Sequence, residues 1–187
     1  MKSSKPIEEE LVSLSQAGDE AAFRQLYDIF LPKVYAYIAS RIEDKQDAED
    51  ITSRVFSSVV EHLHRFRPRG EGSFSAWIFT IARNELKQVY RRRRLPESLI
   101  EQTEVFLPAM ESDLQQKELF GQVQQAISSL SKRQIEVVRL RFFAGLRNKE
   151  IAALLHLDER TVAAHISRAV ENLRAKLEVS GDKERQI

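Results

Sequence analysis

The residues best suited to chemistry in this sequence are basic and aromatic, and they are concentrated between positions 65 and 94. Arginine and lysine alternate there with phenylalanine, tryptophan and tyrosine, and the stretch ends in four consecutive arginines. Guanidinium groups hold phosphate backbones, and aromatic rings stack on unpaired bases. The pattern therefore favours a site for opened nucleic acid. Aromatic residues at helical spacing more often belong to a core, so periodicity alone favours packing for Trp77 and Phe79.

A second group of polar residues lies between positions 148 and 173, where a short helix, a turn and a longer helix are predicted. We expect Asn148 to cap the short helix and Asp158 to cap the longer one. Two helices with so short a turn are typical of helix-turn-helix domains, in which the second helix lies in the major groove. The alternative is an ordinary helical hairpin with solvated charges. The residues expected to face DNA on the longer helix are Arg160, Thr161, Ala164, His165 and Arg168.

Catalytic and metal chemistry find little support. The chain has no cysteine, and its four histidines show no metal-ligand spacing. The acids Asp44, Asp47, Glu49 and Asp50 lack a paired histidine or a glycine-rich loop, so they are better explained as helix N-terminal acids that complement the helix dipole. We expect no enzyme activity, no cofactor and no metal.

The composition favours a helical protein. The chain has 187 residues, of which 42% are hydrophobic and 30% charged, with only 6 glycines and 5 prolines, and this suits one medium or two small helical domains. No apolar stretch approaches the roughly 20 residues that span a bilayer, and the N-terminus carries acids where a signal peptide would be apolar. We therefore expect a cytoplasmic protein without membrane insertion.

Apolar residues repeat at helical spacing four times before position 95. The first predicted helix covers 7–17 and stops at Gly18. Asp19 is expected to cap the second, which Pro32 could kink or split, and Ser73 or Ser75 to cap the fourth. Residues 95–113 then contain five acids and two prolines without lysine or arginine, and they are predicted to form a flexible linker.

The C-terminal unit is predicted to hold four helices, the first beginning near Leu114. A capping box of Ser131 and Gln134 starts the second, which covers 132–143 before Gly145 supplies a left-handed stop. The helix-turn-helix pair completes the four. The predicted fold is all-α, with two small helical domains joined by a flexible acidic linker, and the domains are residues 1–94, the linker 95–113 and residues 114–187.

Taken together, these segments resemble the extracytoplasmic-function (ECF) class of bacterial sigma factors, within the sigma-70 family. The resemblance rests on Phe-Arg-Gln-Leu-Tyr at 23–27, on Asp-Ala-Glu-Asp-Ile-Thr at 47–52 with Val-Phe at 55–56, on 74–78 with 81–84, and on 130–173. This class retains only the second and fourth conserved regions of larger sigma factors. The resemblance implies that region 2 at 1–94 binds core RNA polymerase and melts the minus-ten promoter element, and that region 4 at 114–187 recognises the minus-thirty-five element.

The resemblance also implies individual contacts. The helix at 48–66 would dock on the clamp helices of the polymerase's largest subunit, and the residues implied in polymerase binding are Asp47, Asp50, Ile51, Arg54, Val55 and Phe56. The residues implied at the minus-ten element are Arg67, Arg69, Phe74, Trp77, Arg83, Asn84, Lys87, Arg91, Arg92, Arg93 and Arg94. Those implied at the minus-thirty-five element are Asn148, Lys149, Arg160, Thr161, Ala164, His165 and Arg168. The implied partners are core polymerase, promoter DNA and an anti-sigma protein.

The sequence departs from the family at several of these positions. Ser53 and Arg54 replace the usual Gln-Glu pair, which reverses a charge on the docking surface. Ala163 and His165 stand where the family often has Lys and Arg, so we expect a shallower salt dependence of DNA binding. His156 replaces the usual turn glycine, and a non-glycine residue can adopt this turn at modest cost.

Two other functions remain open from the sequence. A transcriptional regulator could bind DNA through its helix-turn-helix without being a polymerase subunit, and it would need a dimer or effector surface in 1–94. A nucleic-acid enzyme would need a convergent acid and base, for which the sequence offers no candidate.

Overall fold

The fold is helical throughout the residues that the computed structural model describes, which are 5–68, 72–93, 127 and 129–184. The N-terminal part contains α1 (Lys5–Gln16), α2 (Glu20–Ala39), α3 (Lys45–His62), a 3-10 turn (Leu63–Arg65) and α4 (Ser73–Arg92). The C-terminal part contains α5 (Lys132–Val138), a π-helical turn (Arg139–Phe143), α6 (Asn148–Leu155) and α7 (Glu159–Glu184). The all-α prediction is confirmed.

Some predicted features lie outside the described residues. These are the linker at 95–113, the start of the helix expected near Leu114, and Arg69 and Arg94 of the predicted DNA site. In the part of the chain that is described, no helix is long and apolar enough to cross a membrane.

Several helix ends follow from side chains close by in sequence. The Asp19 carboxylate accepts hydrogen bonds from the backbone N–H groups of Ala21 and Ala22 at 2.9 and 3.0 Å, which satisfies two of the free donors at the start of α2. The predicted capping box of α5 is present, because Gln134 N–H donates to Ser131 Oγ at 3.3 Å and Ser131 N–H donates to Gln134 Oε1 at 2.9 Å. These ends were predicted correctly.

Other helix ends differ from the predictions. α4 starts directly after Gly72, which has φ +75°, so neither serine caps it, and the Ser75 hydroxyl instead donates to Glu150 at 3.1 Å. α6 starts at Asn148, one residue earlier than expected, and Arg147 takes the cap position. The N–H of Arg147 donates to the Glu150 carboxylate at 2.7 Å. The prediction that Asn148 caps this helix was wrong.

α2 continues through Pro32 without a break. Proline removes one hydrogen bond from a helix interior. Here Phe30 and Val34, on either side of the proline, are both buried in the core, and this packing holds the two halves in one helix.

The N-terminal and C-terminal parts pack on each other. α4 lies against α6, and α2 lies against the π-helical turn. One core therefore runs from the N-terminal helices into the C-terminal part through Val137, Leu140, Leu146 and Ile151. A smaller apolar cluster between α5 and α7 belongs to the C-terminal part alone; it comprises Ile127, Leu130, Ile135, Val138 and Ala169.

Candidate nucleic-acid interface

α4 carries a polar and basic stripe along its exposed side. Thr80, Asn84, Lys87 and Arg91 are spaced by four, three and four residues, so they share one helix face, and all four are exposed. The opposite face, which includes Ile78, Ala82 and Leu86, is buried. The amphipathic period thus presents the basic residues as a continuous surface. Such a surface suits a phosphate backbone.

The arginines at the end of α4 are not equivalent. Arg91 and Arg92 are exposed, whereas the guanidinium of Arg93 donates to Asp47 Oδ2 at 2.5 Å. This hydrogen bond raises the pKa of Arg93. Arg93 therefore joins the end of α4 to the start of α3. This contact uses part of the hydrogen-bonding capacity of both Arg93 and Asp47.

An aromatic cluster lies at the start of α4. Phe66, Phe74 and Trp77 have ring centroids 4.9 to 5.6 Å apart, which is the range of favourable ring contacts. Phe66 and Phe74 are buried, and Trp77 is half-buried, so Trp77 is the member of this cluster that a base could meet. The Arg67 guanidinium is held beside the cluster by the carbonyl oxygens of His64 and Phe66, each at 3.1 Å. Phe79 is fully buried, as its spacing predicted.

The predicted docking residues of α3 divide between its two faces. Asp50 is exposed, but Ile51 and Val55 are fully buried, so the expectation that they contact a partner directly does not fit this structure. They fall on the helix stripe that packs against α2 and α4. The Arg54 Nε lies 3.7 Å from a carboxylate oxygen of Glu85 on α4, so the reversed charge at this position is balanced within the chain.

A groove beside this face was missed by the sequence analysis. It is about 400 Å³ in volume, lies between α2 and α3, and reaches Phe56, whose ring is 4.6 Å from that of Tyr27. The half-buried residues 23, 27, 31 and 35 of α2 recur every four positions beside the buried stripe. The spacing of this second stripe is the sequence signal that could have revealed the groove. The lining residues are Tyr27, Leu31, Pro32, Tyr35, Glu49, Thr52, Ser53 and Phe56.

α6 and α7 form the predicted helix-turn-helix. The turn is made by His156, in the left-handed conformation at φ +54° and ψ +50°, as expected for a position usually held by glycine. Ile151, Leu155 and Val162 are buried and fix the two helices against each other. Arg160, Ala164 and Arg168 recur every four residues on α7, and both arginines are exposed. This arrangement presents α7 for insertion into a groove.

The remaining predicted residues surround this stripe. Lys149 is exposed, whereas Asn148, Thr161 and His165 are half-buried. Burial lowers the pKa of His165, and the nearby cations Arg168 and Arg133 lower it further, so the imidazole is mainly neutral at pH 7. Within the described residues, no group of three or more histidine or acidic side chains could hold a metal ion.

Comparison with known proteins decides the family. Sigma-70 region 2 matches residues 26–95 and Sigma-70 region 4 matches residues 120–173. The ECF RNA polymerase sigma factor RpoE of Cereibacter sphaeroides is 31% identical over 162 residues, which are 83% of this chain and 86% of the relative. The chain belongs to the ECF RNA polymerase sigma factors. BldN of Streptomyces coelicolor is 32% identical over 88% of this sigma factor, and the match spans 63% of BldN.

Solved structures show the same fold. CnrH in complex with the cytosolic domain of CnrY has a TM-score of 0.61 at 23% identity, covering 92% of this sigma factor and 98% of that chain. The sigma factor RpoE in complex with the anti-sigma factor NepR from Bartonella quintana has a TM-score of 0.59 at 24% identity, covering 84% and 97%.

One predicted minus-ten residue lies apart from the exposed stripe of this sigma factor. The Arg83 side chain is 33% exposed, and its Nε lies 3.4 Å from a carboxylate oxygen of Glu136 on α5. Tyr37 of α2 and Arg41, which lies two residues beyond the end of α2, bind the same carboxylate. Neither Glu136 nor these partners could be identified from the sequence, because residues this far apart along the chain leave no local pattern.

Proposed function

We propose that this chain binds core RNA polymerase and directs it to promoters, with residues 1–94 as the region 2 domain and 114–187 as the region 4 domain. The observation that carries the proposal is the presence, in one chain, of the basic stripe on α4 and the helix-turn-helix of α6 and α7. The role is binding and positioning, without catalysis by the chain itself. Its place of action is the cytoplasm, where transcription occurs.

Polymerase docking is assigned to the exposed side of α3 and the adjacent groove. Asp50 offers a charge to the clamp helices, and Phe56 is reached through the groove. Ile51 and Val55 act from the core by holding α3 in place.

Minus-ten recognition is assigned to α4 and the cluster at its start. Lys87, Arg91 and Arg92 would hold the backbone of the opened strand, and Asn84 lies on the same stripe. An unpaired base would stack on the exposed part of the Trp77 ring, which Phe74 contacts from within the cluster.

Minus-thirty-five recognition is assigned to α7. Arg160 and Arg168 are exposed on its outer stripe, where arginine can donate two hydrogen bonds to guanine or bind phosphate. Ala164, between them, leaves room for the helix to approach the bases. Lys149, at the start of α6, would bind the flanking backbone.

An anti-sigma protein is a further proposed partner. Two structures of this fold, CnrH and the Bartonella RpoE, hold the cytosolic domain of CnrY and the anti-sigma factor NepR, respectively. A protein that covers the α3 face here would compete with core polymerase for the same residues.

The test is in vitro transcription with purified bacterial core polymerase and a genomic fragment library, with and without the protein. We expect discrete new start sites only when the protein is present. Asp50→Lys should abolish core binding, whereas the matched change Asp28→Lys, at an exposed position of α2, should not. Arg168→Ala should keep core binding but lose initiation that depends on the minus-thirty-five element, with Arg174→Ala as its control. If the protein binds duplex DNA yet never core, it is a helix-turn-helix regulator instead.

A further inference from the structure

Gln16, the last residue of α1, binds the chain at the point where α3 ends. Its carboxamide nitrogen donates hydrogen bonds to the carbonyl oxygens of Leu63 and Phe66, both at 2.8 Å. The two acceptors lie 47 and 50 positions further along the chain, at the start of the 3-10 turn and directly after it. A carboxamide nitrogen has two N–H groups, so both are used here. One side chain therefore closes this turn from outside.

The carbonyl groups at this turn gain from a side-chain donor. The Leu63 carbonyl accepts from the N–H of Phe66 at 3.0 Å, but the Phe66 backbone is extended (φ −62°, ψ 138°), so the regular helical bonds end there. Besides Gln16, the Phe66 carbonyl accepts from the Arg67 guanidinium at 3.1 Å. Leu63 and Phe66 are buried residues, and loss of a donor to a buried acceptor is destabilising. Gln16 thus helps to fix the backbone of Phe66.

The position of Phe66 in turn affects the aromatic cluster. The centroid of its ring lies 4.9 Å from that of Trp77 and 5.5 Å from that of Phe74. The Arg67 guanidinium is held by the same Phe66 carbonyl that Gln16 binds. A shift of this backbone therefore disturbs two residues assigned to the minus-ten element, the half-buried Trp77 and the exposed Arg67.

The end of α1 gives Gln16 a firm support. Leu11 and Val12, on the preceding turn, are 6% and 1% exposed, and they fix the helix in the core against α2. The N–H of Asp19 donates to the Leu14 carbonyl at 3.0 Å, which closes the end of the helix. Gln16 itself is half-buried. Its carboxamide is therefore held where it meets the turn.

We propose that Gln16 is a positioning residue for the minus-ten site, where it holds the backbone at 63–66 so that Trp77 and Arg67 are placed to meet an unpaired base. This role rests on the proposed function, and Gln16 lies outside the residues 26–95 that match Sigma-70 region 2. Gln16 does not itself contact DNA. It acts on the step in which a base leaves the stack and docks, and not on the binding of core polymerase.

Trp77 allows a direct measurement because it is the single tryptophan of the chain. Gln16→Met and Gln16→Glu keep the length of the side chain and lack its N–H donors near pH 8, and only the second adds charge. In the full-length protein we expect both changes to raise the acrylamide quenching constant of Trp77 by about 1.5-fold or more, because local loosening exposes the ring. Gln25→Met and Gln25→Glu, at an exposed position of α2, are the matched controls and should leave it unchanged.

Val138→Ala separates positioning from general stability. Val138 is buried in the cluster between α5 and α7, which contains none of the three rings, so its truncation destabilises the protein without touching them. We expect a lower urea midpoint and an unchanged quenching constant. An equal rise in quenching in Val138→Ala, or no rise in either Gln16 variant, would overturn the proposal.

Promoter opening by the complex with core polymerase gives a second readout. The probe is a promoter mapped by in vitro transcription with this protein, with 2-aminopurine in place of an adenine of its minus-ten element. We expect both Gln16 variants to slow opening by about fivefold or more, the effect of losing the stacking of one base, while affinity for core stays unchanged.

The outcomes distinguish this proposal from the proposed function. Opening at the unmodified rate in both Gln16 variants, or a loss of core affinity that accounts for slower opening, would overturn the positioning role alone. If the unmodified protein forms no open complex with core, the proposed function itself fails, and the positioning role fails with it.

Discussion

His156 shows how one residue can carry backbone strain at a functional turn. Its φ of +54° lies in the left-handed region, where side chains with a Cβ are disfavoured, and it joins α6 to α7. Leu157, the next residue, donates its N–H to the Ala152 carbonyl at 2.9 Å, so the turn closes in the usual manner despite the strain. The turn is set by the packing of the two helices, and the histidine conforms to it.

His156→Gly should therefore stabilise the protein. Relief of the left-handed strain is worth about 1–2 kcal/mol, and the greater freedom of glycine in the unfolded chain offsets about half of it. We expect the free energy of unfolding to rise by about 0.5–1 kcal/mol in urea denaturation. Ala153→Gly, at an exposed site of the same helix, is the control and should lower it by about 1 kcal/mol. A loss of stability in His156→Gly would contradict the strain argument.

His165 predicts a pH dependence of duplex binding. Its pKa in the free protein is lowered by burial and by Arg168 and Arg133. A nearby phosphate would raise the pKa of His165, so DNA binding would take up a proton. The affinity for duplex DNA should therefore rise as the pH falls from 7 through the pKa of His165 in the free protein, which lies below 6.5. The gain is at most about tenfold per pH unit because a single proton is involved. Fluorescence anisotropy with a minus-thirty-five duplex should show this rise in the unmodified protein and in His64→Gln, but not in His165→Gln.

At the scale of the element, α4 combines several roles along one helix. Its first turn holds the aromatic cluster and donates a hydrogen bond from Ser75 to α6, Arg83 in its middle contacts α5, and its last turn carries exposed arginines. The buried face fixes the helix between α2 and α3, so the exposed basic stripe is presented on a rigid support. Arg93, through its bond to Asp47, anchors the end of this stripe to α3.

The two exposed arginines at this end should control the salt dependence of promoter opening. Arg91→Gln with Arg92→Gln removes two phosphate contacts, and for single-stranded DNA each contributes about 0.7 to the slope of log affinity against log salt. We expect the slope to fall by about 1.4 in titrations of the polymerase complex. The control Arg24→Gln, at an exposed site of α2, should leave the slope unchanged. An unchanged slope in the double variant would exclude these arginines from the interface.

At the scale of the whole molecule, the main feature is the contact between the two parts. A core shared across it, together with the Glu136 and Glu150 contacts, joins the N-terminal and C-terminal parts.

Two glycines allow a test of how closely the N-terminal and C-terminal parts pack on each other. Gly72 and Gly145 both have positive φ, at +75° and +66°, so alanine strains the backbone at each. Only at Gly72 would the added Cβ meet Glu150, at 2.6 Å, whereas nothing lies within 4 Å at Gly145. Gly145→Ala should cost about 1 kcal/mol of unfolding free energy, from strain alone. Gly72→Ala should cost more, because the added Cβ also displaces the Glu150 side chain, and equal losses of unfolding free energy in the two variants would contradict close packing at this contact.

The sequence by itself determined the helices, many of their ends and the helix-turn-helix. Apolar periodicity, the Asp19 cap and the capping box of Ser131 and Gln134 all depend on residues within about four positions of one another, so the chain carries these signals locally. The basic stripe of α4 and the outer residues of α7 followed from the same period. The family resemblance, which rests on the order and spacing of such segments, was confirmed by comparison with known proteins.

Only the tertiary structure decided which of these residues meet. The burial of Ile51 and Val55, the groove between α2 and α3, and the burial of Phe74 depend on which side of each helix its neighbours cover. Tyr37 and Glu136 are 99 positions apart, so no local pattern marks them as partners. They meet because packing of α2 against the C-terminal part brings the largely buried Glu136 carboxylate to the Tyr37 hydroxyl and to the buried guanidinium of Arg41. The energy of these contacts depends on distance and burial, which are set only when the chain folds.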